Sequence, residues 1–152
     1  MPATTYTSSV FANLGPKQVH VGNTTVSGQF VSGANVVSLG DVIFLAKIPH
    51  GAKIVDIAVD HSTSETALGI DYGLAKGGAD QGAASYSVFS SALAKATVGR
   101  ISVQRTSGSG PITVSVSDSD PVRYGIFSAV PRSGSASTSF IINFSIAYRC
   151  DE

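Results

Sequence analysis

Tryptophan is absent from these 152 residues, cysteine and methionine occur once each, and charged side chains make up only 13%. A soluble domain usually carries roughly a quarter. Each shortage excludes something. The one cysteine, Cys150, cannot form an internal disulfide, and with no histidine or base near it in sequence it reads as an inert thiol. Basic and acidic residues are balanced at ten each, and Lys17, Lys47, Lys53, Lys76, Lys95, Arg100, Arg105, Arg123, Arg132 and Arg149 are scattered singly. Proteins that neutralise phosphates gather such residues into a stripe or an arm, so nucleic acid is excluded as a partner. No apolar run approaches the roughly 20 residues of a membrane-spanning helix, so no membrane is expected as a partner either. The first residues lack the basic start and apolar stretch of a signal peptide, which points to a soluble protein made in the cytoplasm. Low charge does not mean disorder here, because 43% of the chain is hydrophobic. A surface so poor in charge suits a protein that its neighbours cover, since a buried charge must be paired or costs several kcal/mol.

What the chain has in abundance is alternation with a period of two. Phe140, Ile142, Phe144, Ile146 and Tyr148 are separated by small or polar residues such as Asn143, Ser145 and Arg149. A strand sends successive side chains to opposite faces, so one face of this segment is wholly apolar. Leu68, Ile70, Tyr72 and Leu74 repeat the pattern against Gly69, Asp71 and Gly73, and Ile112, Val114 and Val116 do so against Thr113, Ser115 and Ser117. Residues 42–48 are almost continuously apolar, as in a strand covered on both faces. Pro49-His50-Gly51 is a turn signal, with proline fixing φ and glycine supplying a left-handed position. It leads into a strand at 53–60 in which Val55, Ile57 and Val59 are expected to face inward. Val88, Phe89 and Leu93 stand near helical spacing and suggest one short helix near 85–96. Strands resume near 101–103, 112–117, 121–130 and 138–149. Many short strands between Gly, Ser and Pro turns predict an all-β protein, an antiparallel β-sandwich of jelly-roll type, filling residues 18–152 as one domain.

Residues 1–17 are rich in Thr and Ser and end at Gly15-Pro16. They read as an extended N-terminal arm whose isolated apolar residues Tyr6, Val10, Phe11 and Leu14 need a surface to lie on. Those four are the candidate interface residues, and the arm is expected to dock on a neighbour without contributing to folding.

Chemistry is hard to find. His20, His50 and His61 lack a second histidine at metal-ligand spacing. If strands 53–60 and 67–75 formed a hairpin, Asp56 would face Asp71, and opposed like charges destabilise a sheet. Either the register differs, or a lysine, a neighbouring subunit or a hard cation sits beside the group Asp56, Asp60, Glu65 and Asp71. Asp118-Ser119-Asp120-Pro121 reads as a turn. Residues 77–82 lack the Lys-Ser/Thr of a phosphate loop, and no nucleophile elbow or glycosidase carboxylate pair is present. The chain is expected to be no enzyme and to need no cofactor or metal.

Residues 39–60, Leu-Gly-Asp-Val-Ile-Phe-Leu-Ala-Lys-Ile-Pro-His-Gly-Ala-Lys-Ile-Val-Asp-Ile-Ala-Val-Asp, followed by Leu-Gly-Ile-Asp-Tyr-Gly at 68–73, resemble the head-decoration (cement, capsid-stabilising) proteins of tailed bacteriophages. The closing apolar strand 138–149 fits too, whereas the Ser/Gly-rich stretch 105–121 departs from the pattern. The resemblance implies a β-sandwich that docks, as a homo-trimer, on the outer surface of a virion and clamps neighbouring major-capsid subunits. The alternative is a carbohydrate-binding jelly-roll module of a viral fibre or adhesin. Sugar faces call for exposed aromatics, and the chain has no Trp and five Tyr.

Overall fold

The structure, a computed structural model, describes residues 3–13, 23–61, 69–76, 85–94, 100–102, 114, 124–133 and 141–150. In chain order these form β1 (Thr5–Thr7), α1 (Ser9–Asn13), β2 (Asn23–Val31), β3 (Val42–Pro49), β4 (Ala52–His61), β5 (Gly69–Lys76), β6 (Ser85–Ala94), β7 (Arg100–Ser102), β8 (Tyr124–Ser133) and β9 (Ile141–Cys150). Sheet one has the order β1-β3-β8-β5-β6, and sheet two the order β2-β9-β4-β7.

The pairing shows how the chain reaches this order. β2 pairs with β9, β3 with β8, β4 with β7 and β5 with β6, all antiparallel. The pairs are nested, as in one long hairpin, and successive pairs alternate between the two sheets. Bending that hairpin sets β9 beside β4 and β8 beside β5. This is the jelly roll that the sequence leads one to expect. A connection of only His50 and Gly51 carries the chain from sheet one to sheet two. Gly51 there has φ = 80°, a left-handed value that disfavours any side chain. Its N–H donates to the Val114 carbonyl at 2.8 Å, and the Val114 N–H donates to the Ala52 carbonyl at 2.8 Å.

Alternation does the packing. Ile142, Phe144, Ile146 and Tyr148 of β9 all point into the core, as do Ile70 and Tyr72 of β5. At the centre the Phe127 ring lies 6.0 Å from each of the Tyr72, Phe89 and Phe144 rings, so aromatics from both sheets meet on one side chain. Burial pushes the Tyr72 phenol well above its ordinary pKa of 10.0.

The apolar run of β3 is covered on both faces, as its composition demands. Ile43, Leu45, Ala46 and Ile48 enter the main core. Phe44 turns outward into a second cluster with Ala75 and Ile126, against which Phe11, Val42 and Tyr124 pack.

Three expectations are corrected. Residues 85–94 form strand β6, not a helix. Its pairing with β5 slips twice, between Ile70 and Tyr72 and between Tyr72 and Leu74, and such irregularities break the period of two. In β4, Ile57 and Val59 do face inward, but Val55 is 50% exposed. A bulge between Ile54 and Asp56 shifts the alternation, and Ile54 takes the inward place. Asp56 and Asp71 do not face each other, because β4 and β5 belong to different sheets. Asp56 stands opposite Ala147 and Asp71 opposite Val130, so the like-charge conflict never arises.

Candidate docking surface

The N-terminal segment carries the interface residues expected from sequence, and the structure places three of them on the domain itself. Residues 3–13 are not an extended arm. β1 adds in parallel to the edge of sheet one, with Thr5, Tyr6 and Thr7 opposite Val42, Ile43 and Phe44. Tyr6 and Val10 pack against the main core, and Phe11 joins the outer cluster with its ring 5.2 Å from that of Phe44. Leu14 lies outside the described residues.

The physical reason is a set of polar pins, which an alternation pattern does not display, and one notch. Ser8 is buried. Its hydroxyl accepts the Phe11 N–H at 3.0 Å, capping α1, and donates to the Leu45 carbonyl. The Tyr6 hydroxyl donates to the Val36 carbonyl at 3.0 Å. The buried Asp41 carboxylate accepts the Thr4 N–H on one oxygen and the Ser38 N–H on the other, each at 2.8 Å. Thus one carboxylate ties β1 to the connection before β3. The notch is Gly28, on the inward row of β2. A Cβ at this position would lie 2.2 Å from Val10 Cγ2 and 3.1 Å from Phe144 Cζ, so Val10 fills the volume that a side chain would need. A glycine on an apolar row of a strand is the sequence signal for such a close approach.

Replacing Asp41 by alanine leaves two backbone donors without their acceptor, at about 1–3 kcal/mol each. We expect a loss of about 2–4 kcal/mol in denaturant unfolding, of which Asp41→Asn, keeping one acceptor oxygen, recovers part.

The outer face of sheet two is a different surface. Its rows run across the strands as Gln29, Asn143 and Asp60, then Ser27, Ser145 and Ala58, then Thr25, Ala147 and Asp56. Gln29 Nε2 donates to Asn143 Oδ1 at 2.7 Å, and the Ser27 and Ser145 hydroxyls are 3.0 Å apart. The small central row leaves an open depression of ≈ 380 Å³ lined by Ser27, Ala58, Asp60, Asn143 and Ser145. Its one aromatic lining residue, Phe144, has its ring in the core. Half-exposed Val31, Val36 and Leu39 sit at the end of β2 and on the connection that follows it.

No group of three or more His, Cys, Asp or Glu able to hold a metal ion occurs among the described residues. Asp71, on the outer face of sheet one, pairs with Arg132 Nε at 3.1 Å. Asp56 and Asp60 belong to sheet two. His50 is half-buried in the turn, His20 lies outside the described residues, and Cys150 is a half-buried free thiol at the end of β9.

No family model matches this chain, and no curated protein matches its sequence. Solved structures do match its fold. A chain from the capsid of Ralstonia phage GP4 superposes with a TM-score of 0.71 at 13% identity, over 98% of this chain and 99% of that one. A chain from the capsid asymmetric unit of cyanophage Pam1 gives 0.59 at 14% identity, over 91% and 95%. At such identities what is shared is the fold, and it is shared almost end to end.

Proposed function

We propose that this chain is a structural, non-catalytic virion protein that decorates the outer surface of a phage capsid and stabilises it by clamping neighbouring major-capsid subunits. The observation that carries the reading is the match to a chain of a phage capsid over 98% of this chain and 99% of that one. A small domain contributes to a shell by burying area against it. Two further features support docking. Charge is sparse at 13%. The rows Ser27, Ser145, Ala58 and Thr25, Ala147 make an open, shallow surface of small side chains. Bivalent or trivalent attachment then multiplies weak contacts through effective concentration. We assign a homo-trimer as the docking unit, because three-fold symmetry matches the three-fold positions of an icosahedral shell.

The test is compositional and mechanical. Purified virions should contain the protein in many copies, and virions assembled without it should burst at milder osmotic shock. Virions that lack the protein, or that resist shock equally well without it, would sink the proposal. A sugar-binding role has less support, because each described aromatic side chain is buried or half-buried and none is fully exposed for stacking.

A further inference from the structure

The Lys47 ammonium stands between two aromatic rings. Lys47 is half-buried on the outer face of sheet one, opposite Ile126. Its Nζ stands 4.9 Å from the centroid of the Phe11 ring and 5.6 Å from that of Tyr124. Two ring faces attract a cation but offer no oxygen to its three N–H donors, and among the described residues no hydrogen bond or ion pair to this ammonium is formed. Among the described residues no carboxylate supplies one. Asp41 is committed to the Thr4 and Ser38 amides, Asp71 is committed to Arg132, and Asp56 and Asp60 belong to the other sheet.

The geometry points to Lys47, framed by Phe11 and Tyr124, as the contact that receives an acidic side chain of a major-capsid subunit. This deepens the docking reading above and rests on it. Charge complementarity selects the partner's chemistry: an immobilised, partly desolvated ammonium prefers a carboxylate, and the flanking rings offer apolar area beside it. A two-fold contact between copies of this chain would set like patch against like patch, ammonium facing ammonium, whereas the head-to-tail contact of a trimer would not, and the oligomeric-state readout below separates that source from the capsid. Of the three described residues among those expected from sequence to form the interface, Phe11 is the one that borders this patch. Tyr6 and Val10 pack against the domain's own core.

The test is binding of the intact protein to capsids stripped of it, at two salt concentrations, with light scattering and melting recorded for each variant. Lys47→Glu should weaken capsid binding at least about tenfold and Lys47→Arg by no more than about threefold, with melting and oligomeric state unchanged. Lys47→Met keeps the aliphatic stem between the rings and should weaken binding as well, which separates lost charge from lost folding. Wild-type affinity should fall with salt more steeply than that of Lys47→Met. If both uncharged and reversed variants bind as wild type, the patch is not the contact, although the docking reading survives. If they change the oligomeric state and leave capsid affinity intact, the patch meets a second copy and the assignment is overturned. Failure of the wild type to bind capsids would instead remove the docking reading on which the assignment depends.

Discussion

Removing residues 3–13 is expected to lower the melting temperature by about 6–12 °C, corresponding to a net loss of about 3 kcal/mol in a domain of this size. The segment closes the side of the sandwich between β2 and β3. Without it Phe44 loses the Phe11 ring, the inward row of β2 is left with a void at Gly28, and the Asp41 carboxylate loses the Thr4 N–H. Full burial of one large apolar side chain contributes about 1.5–3 kcal/mol, and three half-buried ones are lost at once. The freed chain entropy offsets part of this. A variant that attacks the same seat from the other side separates packing from length. Gly28→Leu drives its side chain into Val10 and Phe144, and overpacking of this kind costs about 1–3 kcal/mol. Combining it with Val10→Ala should return a good part of the loss. Calorimetry on the deletion, the Gly28 variant and the pair checks all three. An unchanged melting temperature in the deletion would mean that the segment docks elsewhere in solution.

Phe127→Ala is expected to cost more than any other single substitution in the described core. The ring is fully buried and sits 6.0 Å from three other rings drawn from β5, β6 and β9, so its removal opens a cavity between the sheets. Phenylalanine-to-alanine changes in cores cost about 3–5 kcal/mol, and three lost aromatic contacts place this one at the upper end. At about 2–4 °C per kcal/mol the melting temperature falls by roughly 10–20 °C. Phe127→Leu keeps most of the volume and should lose less than half as much. Urea midpoints for the two variants would show the ordering, and an alanine variant no worse than the leucine one would contradict the packing described here.

The strands that alternate without interruption were the legible part of the fold. β9 keeps one register with β2 over nine residues, so its apolar row lands in the core with no slip. Where the backbone bulges, the pattern misleads. Val55 occupies an apolar position by counting yet sits in a bulge and faces solvent. The slips in β6 spread its apolar residues into a spacing that mimics a helix. The sheet assignment of β4 and β5 was illegible for another reason: two strands adjacent in sequence look like a hairpin, and only the nested long-range pairs reveal that they part into different sheets. The N-terminal segment was half legible. Its described apolar residues Tyr6, Val10 and Phe11 do pack on the domain, but the pins that bind it there are a serine hydroxyl, an aspartate and a missing side chain at Gly28. Lys47 offered no signal at all, because its neighbours Phe11 and Tyr124 come from distant stretches of chain.

The most direct measurement of the central claim is the heat stability of capsids lacking this protein, recorded by calorimetry before and after the purified protein is added back. The account predicts that the capsid transition rises by several degrees, saturates at a fixed number of copies per shell, and rises less with Lys47→Glu at the same concentration. A capsid transition that stays where it was at saturating protein would contradict it.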